Sequence, residues 1–200
     1  MPHVLEKNKT QRVADHPIDD FFLERWSPRA MSGEIVNGEA LMSLFEAARW
    51  APSSFNNQPW RFIYAHRDTL EWNALFDLLV EQNQVWAKNA GVLVLILSKK
   101  TFDHDGKPSR THAFDAGAAW ENFALQGALK GLVVHGMEGF NHQRARETLG
   151  IPDEFQVEAM AAVGQPGRKE DLPPALLKME KPNERKKLSE TVYRGRFGAV

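Results

Sequence analysis

The stretch "ARWAPSSFNNQPWRF", Ala48–Phe62, closes one element and opens the next. Upstream of it, Leu41, Leu44, Phe45 and Ala48 recur at i, i+3, i+4 and i+7, which predicts an amphipathic helix over Glu39–Trp50. Pro52 stops that helix, because it lacks the N–H that the next turn needs. Downstream, "WRFIYA" reads as a strand. Between them Ser53, Ser54, Asn56, Asn57 and Gln58 lie between two prolines. Two accounts of this polar run stand open. It is a helix stop followed by an Asx or Ser turn, or a rigid loop aiming amides and hydroxyls at a flat, polar-edged ring. Prolines that fix the backbone lower the entropy lost when something binds.

Working outward, the rest of the chain alternates helix and strand. "DDFFLERWSPRAMSG" gives a short helix starting near Asp19 or Asp20, with a turn at Ser27-Pro28. Asp68 or Thr69 caps a helix carrying Leu70, Leu75, Phe76 and Leu79. Val92–Leu97 is apolar at every position, the pattern of a central strand covered on both faces. The Ala- and Gly-rich stretch over 112–130 predicts a helix whose small residues admit a close neighbour. "GLVVHGMEGF" is a strand ending in glycines, Asn141 caps a helix closed by Gly150 and Pro152, and "VEAMAAVG" is a further strand. The order predicts an α+β fold: a central sheet of four to five strands with helices on both sides. Residues 1–18 read as a polar arm and 19–200 as one domain. The tail from Gly164 to Lys187 is too polar for a core of its own and needs something to lie on, a second subunit included.

Composition removes several classes of function. A net charge of −1 gives no electrostatic reason to expect nucleic acid or an anionic membrane. With no cysteine there is no disulfide, thiolate metal site or thiol nucleophile. Seven scattered histidines and no H-E-x-x-H argue against a metal centre. Neither glycine-loop phosphate motif is present, and Ser53 and Ser54 lie outside any G-x-S-x-G elbow. The start of the sequence has no apolar signal core, so a cytoplasmic location is expected.

What remains is a set of anion- and amide-binding pieces. In "ERWSPR", Arg25 and Ser27 share a side of an extended segment and can meet on one phosphate; a surface turn with solvated arginines is the other account. In "HGMEGF", Gly136 and Gly139 permit close main-chain approach, or simply make a strand-to-helix turn. The run Arg185, Lys186, Lys187 is a fourth piece, or a solvated face.

In this order the pieces resemble the nitroreductase family of FMN-dependent oxidoreductases, over roughly residues 19–193. Arg25, Ser27 and Arg29 match an R-x-S-x-[RK] segment. "APSSFNNQPW" is close to the family's A-P-S-[SA]-x-N-x-Q-P-W signature. "DAGAAWENFAL" is similar to its D-x-G-x-A-x-x-N-x-x-L helix, and "GMEGF" and the late R-x-x-L-S-E-T-V fall where the family has its flavin edge and C-terminal phosphate contact.

The resemblance implies a mostly antiparallel sheet, a C-terminal extension lying on the partner subunit, and a homodimer with FMN in its interface. By matching position, Arg25 and Arg185 would bind the phosphate, with Trp26 and Ser27 on the phosphate or ribityl side. Arg29 would sit near flavin N1 and the C2 carbonyl. Pro52, Ser53, Ser54 and Asn56 would reach the cofactor from the other subunit. Met137, Glu138 and Gly139 would line the ring, and Asn83 its pyrimidine edge. Trp86, at a position often basic in the family, would make the mouth more apolar, and the polar stretch between Ser98 and His112 would replace a helical lid by something shorter. NAD(P)H, as NADH or NADPH, would be the donor and a nitroaromatic, quinone or flavin the acceptor. No catalytic protein residue and no metal is implied. A flavin carrier or sensor without turnover, and a plain α+β interaction domain, are the competing functions.

Overall fold

A computed structural model describes residues 12–199. Residues 12–26 with 181–199 form one compact unit and Ser27–Glu180 another. Residues 1–11 of the expected arm lie outside the described residues.

The first unit contains helix α1, Asp20–Glu24, capped by the Asp19 carboxylate, which accepts from Phe21 N at 2.9 Å. Its two chain segments are stitched where Leu188 N donates to Asp15 Oδ2 at 3.1 Å.

The second unit is built on a sheet. Its elements are α2 (Gly38–Arg49), β1 (Trp60–His66), α3 (Leu70–Phe76), α4 (Glu81–Ala87), β2 (Val92–Lys99), α5 (His112–Leu129), β3 (Val133–Met137), α6 (His142–Thr148), β4 (Phe155–Gly164) and the single turn α7 (Pro174–Leu177). The strand order is β1-β2-β4-β3 and every neighbouring pair is antiparallel. The α+β class expected from the sequence pattern and the antiparallel sheet implied by the resemblance are both present, with four strands. β2 is interior and buried from Val92 to Ser98. Val92, Val94 and Ile96 face Leu41, Leu44 and Phe123 of α2 and α5. Leu93, Leu95 and Leu97 face the opposite core, with Trp72, Leu75, Trp86, Phe140 and Ala145. Burying both faces removes a large apolar area from water at about 25 cal/mol per Å².

The small residues of α5 do what the composition suggests. A Cβ on Gly127 would come within 2.3 Å of Val134 Cγ2, so glycine is what lets α5 press onto β3. Helix α4 had no signal in the sequence. Its first turn is Glu-Gln-Asn-Gln, and only Trp86 and Ala87 are buried.

The segment between β2 and α5 has no helix. Thr101 pairs with Pro108, Phe102 N donates to Lys107 O at 2.8 Å, and Gly106 turns at φ +71°. This short hairpin agrees with the absence of a helical lid. The polar tail begins by lying on its own chain: Ser32 N donates to Gln165 O and Gly167 N to Ala30 O, each at 3.0 Å, and Leu172 enters the core. Among the described residues no helix is long and apolar enough to cross a membrane.

Candidate functional site

Arg25, Trp26 and Arg185 belong to the first unit. The sequence reading missed a third arginine there, Arg12. Its Nη1 donates to Leu23 O at 3.0 Å and to Arg25 O at 2.9 Å, bracing the carbonyl end of α1 where cations are favoured. Burial, together with the charges of Arg185 and Arg25, holds the Arg12 pKa below the ordinary guanidinium value, against the pull of Glu184. Arg185 is exposed and donates to Asn183 O and Oδ1. Arg12 thus feels two further guanidinium groups, and a concentration of positive charge of this kind is a place where an anion is stabilising.

In the second unit, Ser27 and Arg29 lie on the extended run before α2. Arg29 N and Ala30 N both donate to Glu180 Oε1, at 2.7 and 2.8 Å. The Glu180 side chain is only 2% exposed, and Arg29 Nη1 lies 4.0 Å from its Oε2. His135 Nδ1 donates to Pro28 O at 2.8 Å, and its ring packs 4.6 Å from Trp86. Burial and the nearby Arg29 charge lower the His135 pKa, opposed by the bond to Pro28 and by Glu180. The imidazole is therefore held neutral.

The loop after α2 is locked by its own side chains. Ser53 Oγ accepts from Gln58 N at 3.0 Å, and Gln58 Nε2 donates to Asn56 O at 3.1 Å. Asn57 bridges to the hairpin, donating to Thr101 O at 3.2 Å and accepting from Asp103 N at 2.8 Å. Ser54 N donates to Asp115 Oδ2 at 3.1 Å, and Thr111 Oγ1 to the same oxygen at 3.3 Å. These bonds hold Phe55, Asn56 and Gln58 at φ of 52°, 53° and 48°, which costs of order 1 kcal/mol or more for each such residue. Phe55, 81% exposed, sits edge-on to Phe102 at 5.6 Å. Pro52 and Asn56 are exposed as well. Much of the polar run is thus spent on the loop itself, as the turn account expects.

At the other strand end, Asn83 Nδ2 donates to Gly139 O at 3.0 Å, and Val80 N donates to the same carbonyl at 3.1 Å. The expected neighbours Asn83 and Gly139 are therefore brought together. The Met137 side chain is buried in the core, so main chain is its principal offering, while Glu138 is exposed. Trp86 is 2% exposed within the core and lines no open mouth. Met137 and Glu138 border a cleft of about 300 Å³ that also touches Ala113, Gly117, Trp120 and Glu158. A register shift after Ile96 leaves Glu158 as an extra residue in β4 and re-aims it toward Ser98. Ser98 Oγ is also 2.7 Å from His112 Nδ1. Here the serine is fully buried and stands between acid and imidazole, the wrong order for an activated nucleophile. Among the described residues no three His, Asp or Glu side chains gather to hold a metal.

Arg12, Asp115 and Glu180 were not singled out by the sequence reading. Asp115 had a signal, since it opens the D-x-G-x-A helix, but nothing local says that its partner lies 61 residues back.

Comparison with known proteins places this arrangement. A crystal structure described as an oxidoreductase containing FMN superposes with a TM-score of 0.92 at 46% identity, covering 96% of this chain and 99% of that one. A nitroreductase family protein from Clostridium difficile 630 superposes at 0.70 with 23% identity, covering 91% and 100%. An uncharacterized 15.4 kDa protein of the ask 5' region in Mycolicibacterium smegmatis is 29% identical over 121 residues, 60% of this chain and 80% of that protein. The profile of the Nitroreductase family matches residues 23–165, more than half of the sequence, and the chain belongs to that family.

Proposed function

We propose that this protein is an FMN-dependent oxidoreductase. It works as a homodimer and passes reducing equivalents from NADH or NADPH to a small planar acceptor such as a nitroaromatic, a quinone or a free flavin. The observation that carries the reading is the gathering of Arg12, Arg25 and Arg185 in one compact unit. Positive charge gathered in this way suits a dianion, and the 46%-identical relative contains FMN, whose phosphate is such a group.

The residues present fit that cofactor. Arg25 and Arg185 would hold the phosphate, with Trp26 beside it, and Arg12 fixes the Arg25 main chain. When bound, FMN would supply the hydride-transfer chemistry. Arg29 favours negative charge at the pyrimidine edge, which stabilises the reduced form. Asn83 holds Gly139, so that the main chain of Met137, Glu138 and Gly139 is presented in one fixed geometry. Pro52, Ser53, Ser54 and Asn56 serve the flavin of the second copy. No side chain is required as acid or base.

Donor and acceptor use one exposed ring face in turn, so steady-state kinetics with NADH or NADPH and a quinone give parallel double-reciprocal lines. Intersecting lines reject the shared face, and a yellow protein without turnover is a carrier or sensor.

A further inference from the structure

We propose that Glu180 is a positioning residue that sets the redox potential of the bound cofactor through Arg29. The inference rests on the flavin reading above. The geometry is specific: a carboxylate carried by the tail reaches back 151 residues and receives two adjacent main-chain N–H groups, those of Arg29 and Ala30, on one oxygen. Its second oxygen is buried and has no hydrogen-bond partner; the nearest cation is Arg29 Nη1 at 4.0 Å. A buried carboxylate left half-satisfied is costly, and interactions with charge are stronger where water is excluded.

The arrangement has two consequences. The double bond to the main chain fixes where the Arg29 guanidinium begins, as a hinge pin would. The remaining negative charge partly cancels that guanidinium, so the reduced cofactor feels less than a full positive charge. The tail up to Glu180 thereby has a task inside its own subunit: Ser32, Gly167 and Ala30 tie it along the 29–32 run and deliver the carboxylate there.

The test is Glu180→Gln. Glutamine keeps a carbonyl oxygen for the two N–H groups and removes only the charge. The expected result is a midpoint potential shifted to more positive values, with reduced FMN favoured over oxidised FMN about tenfold more than in the parent, about 30 mV for a two-electron couple. Hydrogen exchange of the Arg29 and Ala30 amides, read on flavin-free protein, stays slow. Glu180→Met removes acceptor and charge together, moves the potential the same way, and speeds exchange at both amides. In an Arg29→Met background the Glu180→Gln shift disappears, because the two residues act as a unit. A parent protein that binds FMN while Glu180→Gln leaves its potential unmoved overturns this inference alone. A shift that survives in Arg29→Met overturns the route through Arg29. A parent protein that takes up no FMN overturns the flavin reading and this inference with it.

Discussion

The loop from Ser53 to Gln58 spends its side chains on itself, whereas the strand end from Gly136 to Phe140 presents main chain held by a neighbour. In the loop, Ser53, Asn57 and Gln58 all bond within the loop or to the adjoining hairpin, and the departures to positive φ at Phe55, Asn56 and Gln58 are maintained by them. At the strand end, one carbonyl is pinned from outside by Asn83 and Val80. Both segments read in the sequence as polar or glycine-rich punctuation. The difference teaches that a cluster of short polar residues can spend much of its bonding capacity on its own scaffold, while a glycine-flanked segment is shaped by a side chain reaching it from another element.

The comparison breaks first at Asp115. It is buried and takes both Ser54 N and Thr111 Oγ1, so Asp115→Ala is expected to destabilise flavin-free protein by about 2–3 kcal/mol. The Tm falls by on the order of 8 °C. A Tm within 1 °C or so of the parent would mean that the loop does not depend on its own bonds. At the strand end the balance reverses. A Cβ on Gly139 would lie 2.9 Å from Asn83 Nδ2 and 3.0 Å from Val80 Cγ2. Gly139→Ala displaces Asn83 and is expected to weaken FMN binding roughly tenfold, about 1.4 kcal/mol, with a smaller loss of flavin-free stability than Asp115→Ala. Equilibrium titration by flavin fluorescence measures the first quantity and thermal melts the second. An unaltered Kd would remove this strand end from the account.

The smallest effect is a dependence on pH. The folded pKa of His135 lies below the ordinary imidazole value, so the unfolded chain binds the extra proton first as pH falls. The stability it contributes is complete above about pH 6.5 and is lost on descending from there toward the folded pKa. Flavin-free His135→Gln is expected to show a flatter Tm profile than the parent over that window. Identical slopes would mean that the imidazole is not held neutral.

How far the sequence foretold this depends on which physical signal a residue leaves. β2 was legible because an interior strand must be apolar at every position, and Val92–Leu97 is. The helix at 112–130 was legible from its small residues, whose purpose is visible at Gly127. Helix α4 was not, since two buried positions in seven leave no periodicity. The family motifs pointed to the loop and the strand end, yet gave no hint that much of the loop's polarity is internal. Arg12, Asp115 and Glu180 draw their importance from partners far along the chain, and no local pattern marks such residues. The tail looked like a strap in need of a surface. Leu172 and Glu180, single buried residues in a polar run, show that its first part finds one on its own subunit.

The most direct test of the central claim is the flavin content of the purified protein, read from its absorbance spectrum before and after dialysis and after anaerobic addition of NADH or NADPH. The account predicts a yellow dimer with one FMN per chain, bleached by at least one nicotinamide. It also predicts that flavin-free protein gains about 4 kcal/mol when FMN is supplied at 1,000 times its Kd. Colourless protein whose melting temperature does not move with excess FMN would contradict it.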